Sequence, residues 1–322
     1  VTRSERWRSL IGTLKIRTRD RRIVNLRYND PQEHVWGLVK DDIDHGRPIR
    51  LIIYKARREG ISTEISSWLM AMVATHDLTN ALVTAHMAKP AKRIWNMSKL
   101  FVTSSPLLSR FAFIGNNTIQ IGRSTLEIAT AGSPESERSG DLTAWLASEA
   151  AFYTHPEVMT ATMQTLPHSK NIFSIGVIES TPNGRTGDGA MFYQEWLRAE
   201  AGESDWVPVF LPFHIFKEYR LPGIAIEEPD EEELALRERF ELSDEVLAWR
   251  RWAIANLCQG DLDKFHQEYP STPEEGFIQS GLPFFRPAQL LPLEKLLRKG
   301  KRGIVETDGT WRERPDGYLE MF

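Results

Sequence analysis

Between Lys55 and Thr63 the chain reads Lys-Ala-Arg-Arg-Glu-Gly-Ile-Ser-Thr, with cations at Lys55, Arg57 and Arg58, a turn residue at Gly60 and hydroxyls at Ser62 and Thr63. A glycine there lets the backbone turn tightly, so that free amides from Arg57 to Thr63 face an anion with the dipole of a following helix behind them. That is the mechanics of a nucleoside triphosphate site. The usual pattern, G-x-x-x-x-G-K-[ST], is met only in part, because Lys55 stands in the first-glycine place and Ile61 in the lysine place. The same stretch also reads as a plain strand-loop-helix crossover with a surface Lys/Arg cluster.

The flanking elements decide whether such a loop is held open. Ile49 to Tyr54 is a short apolar run rich in β-branched residues, as a buried parallel strand should be. From Ile61 the apolar positions Ile61, Ile65, Trp68, Leu69, Met72 and Val73 take helical spacing. Ahead of this strand, Gln32 follows Pro31 at the start of an expected helix about two turns long, where its amide, both donor and acceptor, reads either as an adenine contact or as a helix N-terminal polar group.

Strand and helix patterns keep alternating. Asn80 to Ala85 is a second buried strand, Pro90 opens a helix, and Thr118–Gly122 with Ser124–Thr130 form a hairpin. A Gly/Ser-rich loop containing Arg138 leads into the apolar run Leu142 to Ala147, which ends in Ser148-Glu149. A carboxylate at the C-terminal edge of a buried strand is where open α/β sheets keep chemistry. Asn171 to Ile178 is a further strand, stopped by Glu-Ser-Thr-Pro-Asn-Gly184, and Trp206 to Leu211 is the last one. About 200 residues of this alternation imply a mainly parallel, doubly wound sheet.

From Pro222 the pattern becomes charged and helical, with helices expected over Glu231–Phe240 and Ser243–Leu257 and a third opened by Thr272-Pro-Glu-Glu275. Asp308-Gly309 and Pro315-Asp-Gly317 punctuate a small terminal β-meander. We therefore read 1–222 as the core, with 1–47 as its N-terminal segment, and 223–322 as a helical lid or linker.

Composition sets outer limits. At 322 residues, 41% hydrophobic and 26% charged, the chain is ordinary for a soluble globular protein. A net charge of −4 argues against coating nucleic acid with the whole surface but leaves room for a local track. No run approaches a membrane span, and the charged N-terminus is no signal peptide; a start at Val1 reads as a trimmed or internally numbered chain. One cysteine, Cys258, leaves no internal disulfide or cysteine-based metal site, which fits a reducing compartment.

The order of these signals resembles the ATPase part of the large terminase subunit of tailed bacteriophages and prophages. Lys55 to Thr63 is similar to that family's deviant phosphate loop, Ala144 to Phe152 to its Walker B strand with the catalytic glutamate, Glu179-Ser-Thr-Pro-Asn-Gly184 to its coupling motif, and Trp206 to Phe213 to the strand after it. Phe265 to Pro270, with Glu274 to Phe277, is similar to the segment that precedes the nuclease. The likeness covers about residues 30–285 and implies a P-loop NTPase of RecA-like (ASCE) type. The family's magnesium-holding aspartate is replaced by Ser148, and its C-terminal nuclease pattern is absent after Phe285, so the chain reads as the ATPase half of a longer protein.

The resemblance implies ATP and Mg2+ as cofactors. Lys55, with Arg58 second, would neutralise phosphate; Ser62, with Thr63 as alternative, would ligate the metal; Ser148 would contact a metal-bound water. Glu149 would orient or deprotonate the attacking water, unless it is only a helix N-terminal carboxylate. Arg138 would act as an arginine finger, toward a neighbouring subunit, or as a surface arginine pairing Glu135 or Glu137. Ser180 and Thr181 would sense the γ-phosphate or merely cap. Implied partners are double-stranded DNA, a portal protein, a small terminase subunit and further copies in a ring, in the cytoplasm of an infected or lysogenic bacterium. A helicase-type translocase and a non-hydrolysing nucleotide- or DNA-binding scaffold are the competing readings.

Overall fold

The structure is a computed structural model that describes residues 1–132, 140–155, 157–277, 301–306, 310–314 and 319–321. It divides into two units, Val1–Gln279 and Ser280–Phe322. The first opens with α1 (Arg3–Ile11), a small hairpin of β1 (Lys15–Arg17) and β2 (Ile23–Asn25), and α2 (Asp30–His45). At 16 residues α2 is twice the expected length. Asn29 and Gln32 close a capping box at its start, Val35, Trp36, Val39 and Ile43 give it one buried stripe, and Gly46 in the left-handed region ends it.

Next come β3 (Ile49–Lys55), α3 (Ile61–Thr75), β4 (Asn80–Ala85), α4 (Ala88–Ser104) and the single turn α5 (Pro106–Ser109). Three strands follow, β5 (Ala112–Ile114), β6 (Thr118–Ile121) and β7 (Ser124–Thr130), then β8 (Ala144–Ser148), α6 (Glu157–Thr165), β9 (Ile175–Ser180), α7 (Ala190–Glu200) and β10 (Val207–Leu211). The eight-stranded sheet has the order β10-β3-β9-β8-β4-β7-β6-β5, parallel from β10 to β7 and antiparallel at the β7-β6-β5 edge.

Successive strand residues face opposite sides of a sheet, and both sides here are buried. Leu51, Ile53, Val83, Leu146 and Val177 pack with the apolar face of α3 in one core, which also takes in Trp7, Trp36 and Trp95. Ile52, Tyr54, Leu82, Trp145 and Ile178 point the other way, into a second core with Phe192 and Trp196 of α7. Near-continuous apolar strands are what this double burial requires.

Three of these strands run past the apolar stretches that announce them. β3 includes Lys55, β8 includes Ser148, and β9 starts four residues later than its apolar run and continues through Glu179 and Ser180. Ladder pairing carries the polar ends along, with Tyr54 opposite Ser180 and Ser148 opposite Glu179.

The helices α8 (Glu231–Phe240), α9 (Asp244–Asn256), α10 (Leu262–Glu268) and α11 (Pro273–Gly276) belong to the first unit. The first three share a third core with Phe213, Phe216 and Tyr219, in which the Trp249 ring stacks on Tyr219 at 4.2 Å. In the second unit, β11 (Lys301–Val305) lies between β12 (Trp311–Glu313) and β13 (Leu319–Met321), antiparallel to both. The strand order thus corrects the expected meander: β13 pairs with the free edge of the longest strand instead of with β12. Among the described residues no helix is long and apolar enough to cross a membrane.

Candidate functional site

Strand parity builds the site. Lys55 shares a sheet face with Ile53, Ser148 with Leu146, and Glu179 with Val177, so the three polar ends of β3, β8 and β9 all emerge on the α3 side. There they meet the start of α3. Ser62 Oγ and Ser148 Oγ each donate to Glu179 Oε1 at 2.7 Å, and Lys55 Nζ lies 3.2 Å from Glu179 Oε2. Lys55 Nζ also donates to Glu149 Oε1 at 3.0 Å.

Glu149 follows Ser148 directly and, in extended backbone, would face the opposite side. Its φ of 55° and ψ of 49° place it in the left-handed region instead, which swings the carboxylate back beside Lys55. A non-glycine residue held there costs on the order of 1–3 kcal/mol, and such strain gathers at functional sites. The Thr181 amide, at 3.4 Å from Glu149 Oε2, lies on the other side of the same carboxylate.

Burial would by itself lower the Lys55 pKa, but Glu149 and Glu179 outweigh it and raise the ammonium's pKa above its ordinary value. Burial likewise acts to raise Glu149, and Lys55 overrides it, leaving the carboxyl below the usual carboxylate range. The pair is therefore charged at neutral pH, as a phosphate-binding cation and a water-orienting base both need to be.

The loop that joins β3 to α3 is braced from two directions. Gly60 has φ of +85°, and a Cβ there would stand 2.8 Å from Gln32 Nε2, which donates to the Gly60 carbonyl at 2.7 Å. On the far side Arg57 Nη1 donates to Glu268 at 2.6 Å, its amide donates to the Glu268 carbonyl at 2.9 Å, and the Tyr219 hydroxyl donates to its carbonyl. Arg58, with φ of 64°, stays exposed at the cavity wall.

The walls enclose a cavity of about 870 Å³. Of the residues singled out from sequence, Lys55, Arg57, Arg58, Gly60, Ile61, Ser62, Thr63, Ser148, Glu149 and Thr181 line it. Ile61, in the usual lysine place, packs in the core with no exposed surface, so no lysine could serve from there without rebuilding that core.

Two expectations are corrected. Gln32 is spent inside the protein, its Oε1 taking the Asn29 amide and its Nε2 the Gly60 carbonyl, so it supports the loop rather than offering an adenine contact. Ser180 lies on the other sheet face, fully buried, where its hydroxyl accepts the Ala151 amide. It anchors the turn after Glu149 and leaves the cavity to Thr181. Arg138 lies outside the described residues.

The sequence reading missed Glu179, because it placed the residue after its strand, in a motif, with no partner. It also missed His86 and Arg93, which line the cavity from the end of β4 and from α4. His86 directly follows an apolar parallel strand, the signal that had singled out Glu149, and burial lowers its pKa, so that it is neutral near pH 7.

The donors fit the metal that the sequence resemblance implies. Ser62, Ser148 and Glu179 offer only oxygen, the chemistry of a hard cation such as Mg2+. Among the described residues no group of three or more His, Cys, Asp or Glu side chains could hold an ion unaided.

No family model and no curated protein sequence matches the chain. Among solved structures it is similar to the large terminase of bacteriophage HK97, with a TM-score of 0.59 and 15% identity over 95% of this chain and 60% of that one. It is also similar to the large terminase ATPase domain of Thermus phage P74-26, with a TM-score of 0.51 and 14% identity over 84% of this chain and 98% of that domain. The chain has the fold of a phage large-terminase ATPase domain. It spans 60% of the length of the HK97 terminase, and at these identities the likeness is one of fold.

Proposed function

We propose that this chain is the ATP-hydrolysing motor domain of a phage-type large terminase, driving double-stranded DNA into a procapsid. The observation that carries the reading is the convergence of Lys55, Ser62 and Glu149 at one edge of the parallel sheet, around a loop that lines a cavity. A fold alone hosts many functions, so the weight rests on this site.

In the proposed mechanism the backbone amides of Arg58 to Ser62 cradle the phosphates, those of Arg57 and Thr63 being held by the Glu268 and Gly60 carbonyls, and Lys55 and Arg58 neutralise the charge. Ser62 and Ser148 would hold Mg2+, which would supply charge neutralisation. Glu149 is ion-paired with Lys55. Phosphate oxygens compete for Lys55, and Glu149 is then released to take a proton from the attacking water. Thr181, whose amide faces Glu149, reports the state of that carboxylate to the segment after β9. Arg138 is proposed as the finger that completes the site of a neighbouring copy. A portal protein, a small subunit and a ring of copies complete the proposal, in a bacterial host's cytoplasm.

The test is Mg2+-dependent ATP turnover at rising protein concentration, with and without DNA. Glu149→Gln should lower kcat by roughly 10²–10⁴, the usual worth of a general base. Lys55→Ala should abolish turnover, and wild-type turnover should rise more than linearly with concentration. A wild type that binds ATP but never turns it over would replace this reading with that of a nucleotide-binding scaffold, and duplex unwinding would replace it with a helicase.

A further inference from the structure

The end of β8 carries Ser148, a hydroxyl, where a nucleotide-hydrolysing sheet needs a carboxylate for its divalent cation. The neighbouring strand provides one. Glu179 has no exposed surface, stands directly opposite Ser148 in the β8–β9 register, and gathers the Ser62 and Ser148 hydroxyls onto one oxygen, at 2.7 Å each. Among the described residues its other oxygen takes no hydrogen bond, and it lies 3.2 Å from the Lys55 ammonium. A hydroxyl that donates its proton to a carboxylate keeps its lone pairs for a cation, so the hydrogen bonds that bind Glu179 also turn Ser62 and Ser148 into metal-facing oxygens.

We infer that Glu179 is the metal-site carboxylate of this chain, supplied from β9 in place of an acid at the end of β8. The inference rests on the nucleotide site proposed above and assigns its cation. A carboxylate serving only to neutralise Lys55 would need neither serine, and Glu149 already pairs with that lysine. The two hydroxyls, one from the start of α3 and one from β8, mark the place where phosphate loop and strand ends must share an ion. Removing an outer partner of a metal site typically costs roughly 10–100-fold in metal affinity, so the prediction holds whether Glu179 touches the ion or acts through its waters.

The experiment reads metal and nucleotide separately on the full chain. Mn2+, which takes the same oxygen ligands as Mg2+, is titrated into ADP-saturated protein and followed by the electron paramagnetic resonance of the free ion. ADP affinity in chelator is measured beside it with a fluorescent ADP. Glu179→Gln, which keeps an acceptor for both serines, should lose roughly 10–100-fold in Mn2+ affinity, while metal-free ADP, meeting a Lys55 with one carboxylate fewer beside it, binds no more weakly than to the wild type. Glu179→Gln combined with Ser148→Asp moves the carboxylate one strand over and should recover most of that loss.

Unchanged Mn2+ affinity in Glu179→Gln would overturn the inference and leave the nucleotide site standing. So would an equal loss of ADP affinity with and without metal, the mark of a purely structural residue. A wild type that binds no ADP under either condition would overturn the nucleotide site itself, and this assignment with it.

Discussion

Lys55 is the residue on which the local charge balance turns. It is 4% exposed and is the cation for Glu179, which is fully buried, and for Glu149, whose side chain is 29% exposed. Removing one partner of a buried pair leaves an uncompensated charge, so Lys55→Met should lower the unfolding free energy by on the order of 3 kcal/mol. Adding Glu179→Gln should restore part of it, as a double-mutant cycle in urea would show. The same ion pair sets an acid limit. Glu149 has a folded pKa below its ordinary 4.5, so its contribution to stability is full above about pH 4.5 and is lost as pH falls through the lower folded value. Thermal unfolding of wild type and Glu149→Gln from pH 7 to pH 3 should therefore converge toward the acid end.

Glu64 obeys the opposite sign, and it belongs to the scale of an element, because it lies inside α3 just beyond the phosphate loop. It is fully buried, neither carboxylate oxygen has a hydrogen-bond partner among the described residues, and burial raises its pKa well above 4.5. The folded state then holds a proton that the unfolded chain releases, so stability falls as pH rises above 4.5, by about 1.4 kcal/mol per pH unit while Glu64 stays protonated. Glu64→Gln should remove that slope and raise Tm by several degrees at pH 8. At the loop itself Gly60→Ala should cost roughly 1–2 kcal/mol for the left-handed backbone and more for displacing Gln32. Chemical denaturation checks the first loss, and weaker ADP binding checks the second.

The elements also explain what was legible. Apolar runs located β3, β4, β8 and β10, because a doubly covered parallel sheet leaves little room for polar residues. The same signal ended strands too early at Lys55, Ser148 and Glu179, because hydrophobicity stops where the site begins while ladder pairing does not. Lys55, Ser62 and Glu149 were found from loop chemistry and from position at a strand end. Glu179 was missed because its meaning depends on register with β3 and β8, and register between strands distant in sequence is set by the closed sheet. Gln32 looked like a ligand contact because its residue type fits either role, and only the approach of Gly60 decides between them.

At the scale of the molecule, the loop between β3 and α3 is shared property. Its inner side leans on α2 through Gln32, and its outer side is held by Tyr219 and Glu268, the former stacked on Trp249 and the latter closing α10. Tyr219→Phe should leave the stack but release the Arg57 carbonyl. The expected result is unchanged Tm within about a degree, since one hydrogen bond is worth about 1 kcal/mol, together with faster amide exchange at Arg57 and Arg58. Gly276 closes the same assembly, because a Cβ there would fall 1.8 Å from the Tyr54 hydroxyl, so Gly276→Ala should lower Tm markedly by prying α11 from β3. A loop fastened in this way behaves as a strain gauge. Any load that shifts the helices around Trp249 would reach Arg57 through Tyr219 and Glu268, and by thermodynamic reciprocity whatever moves that loop would be felt at those helices.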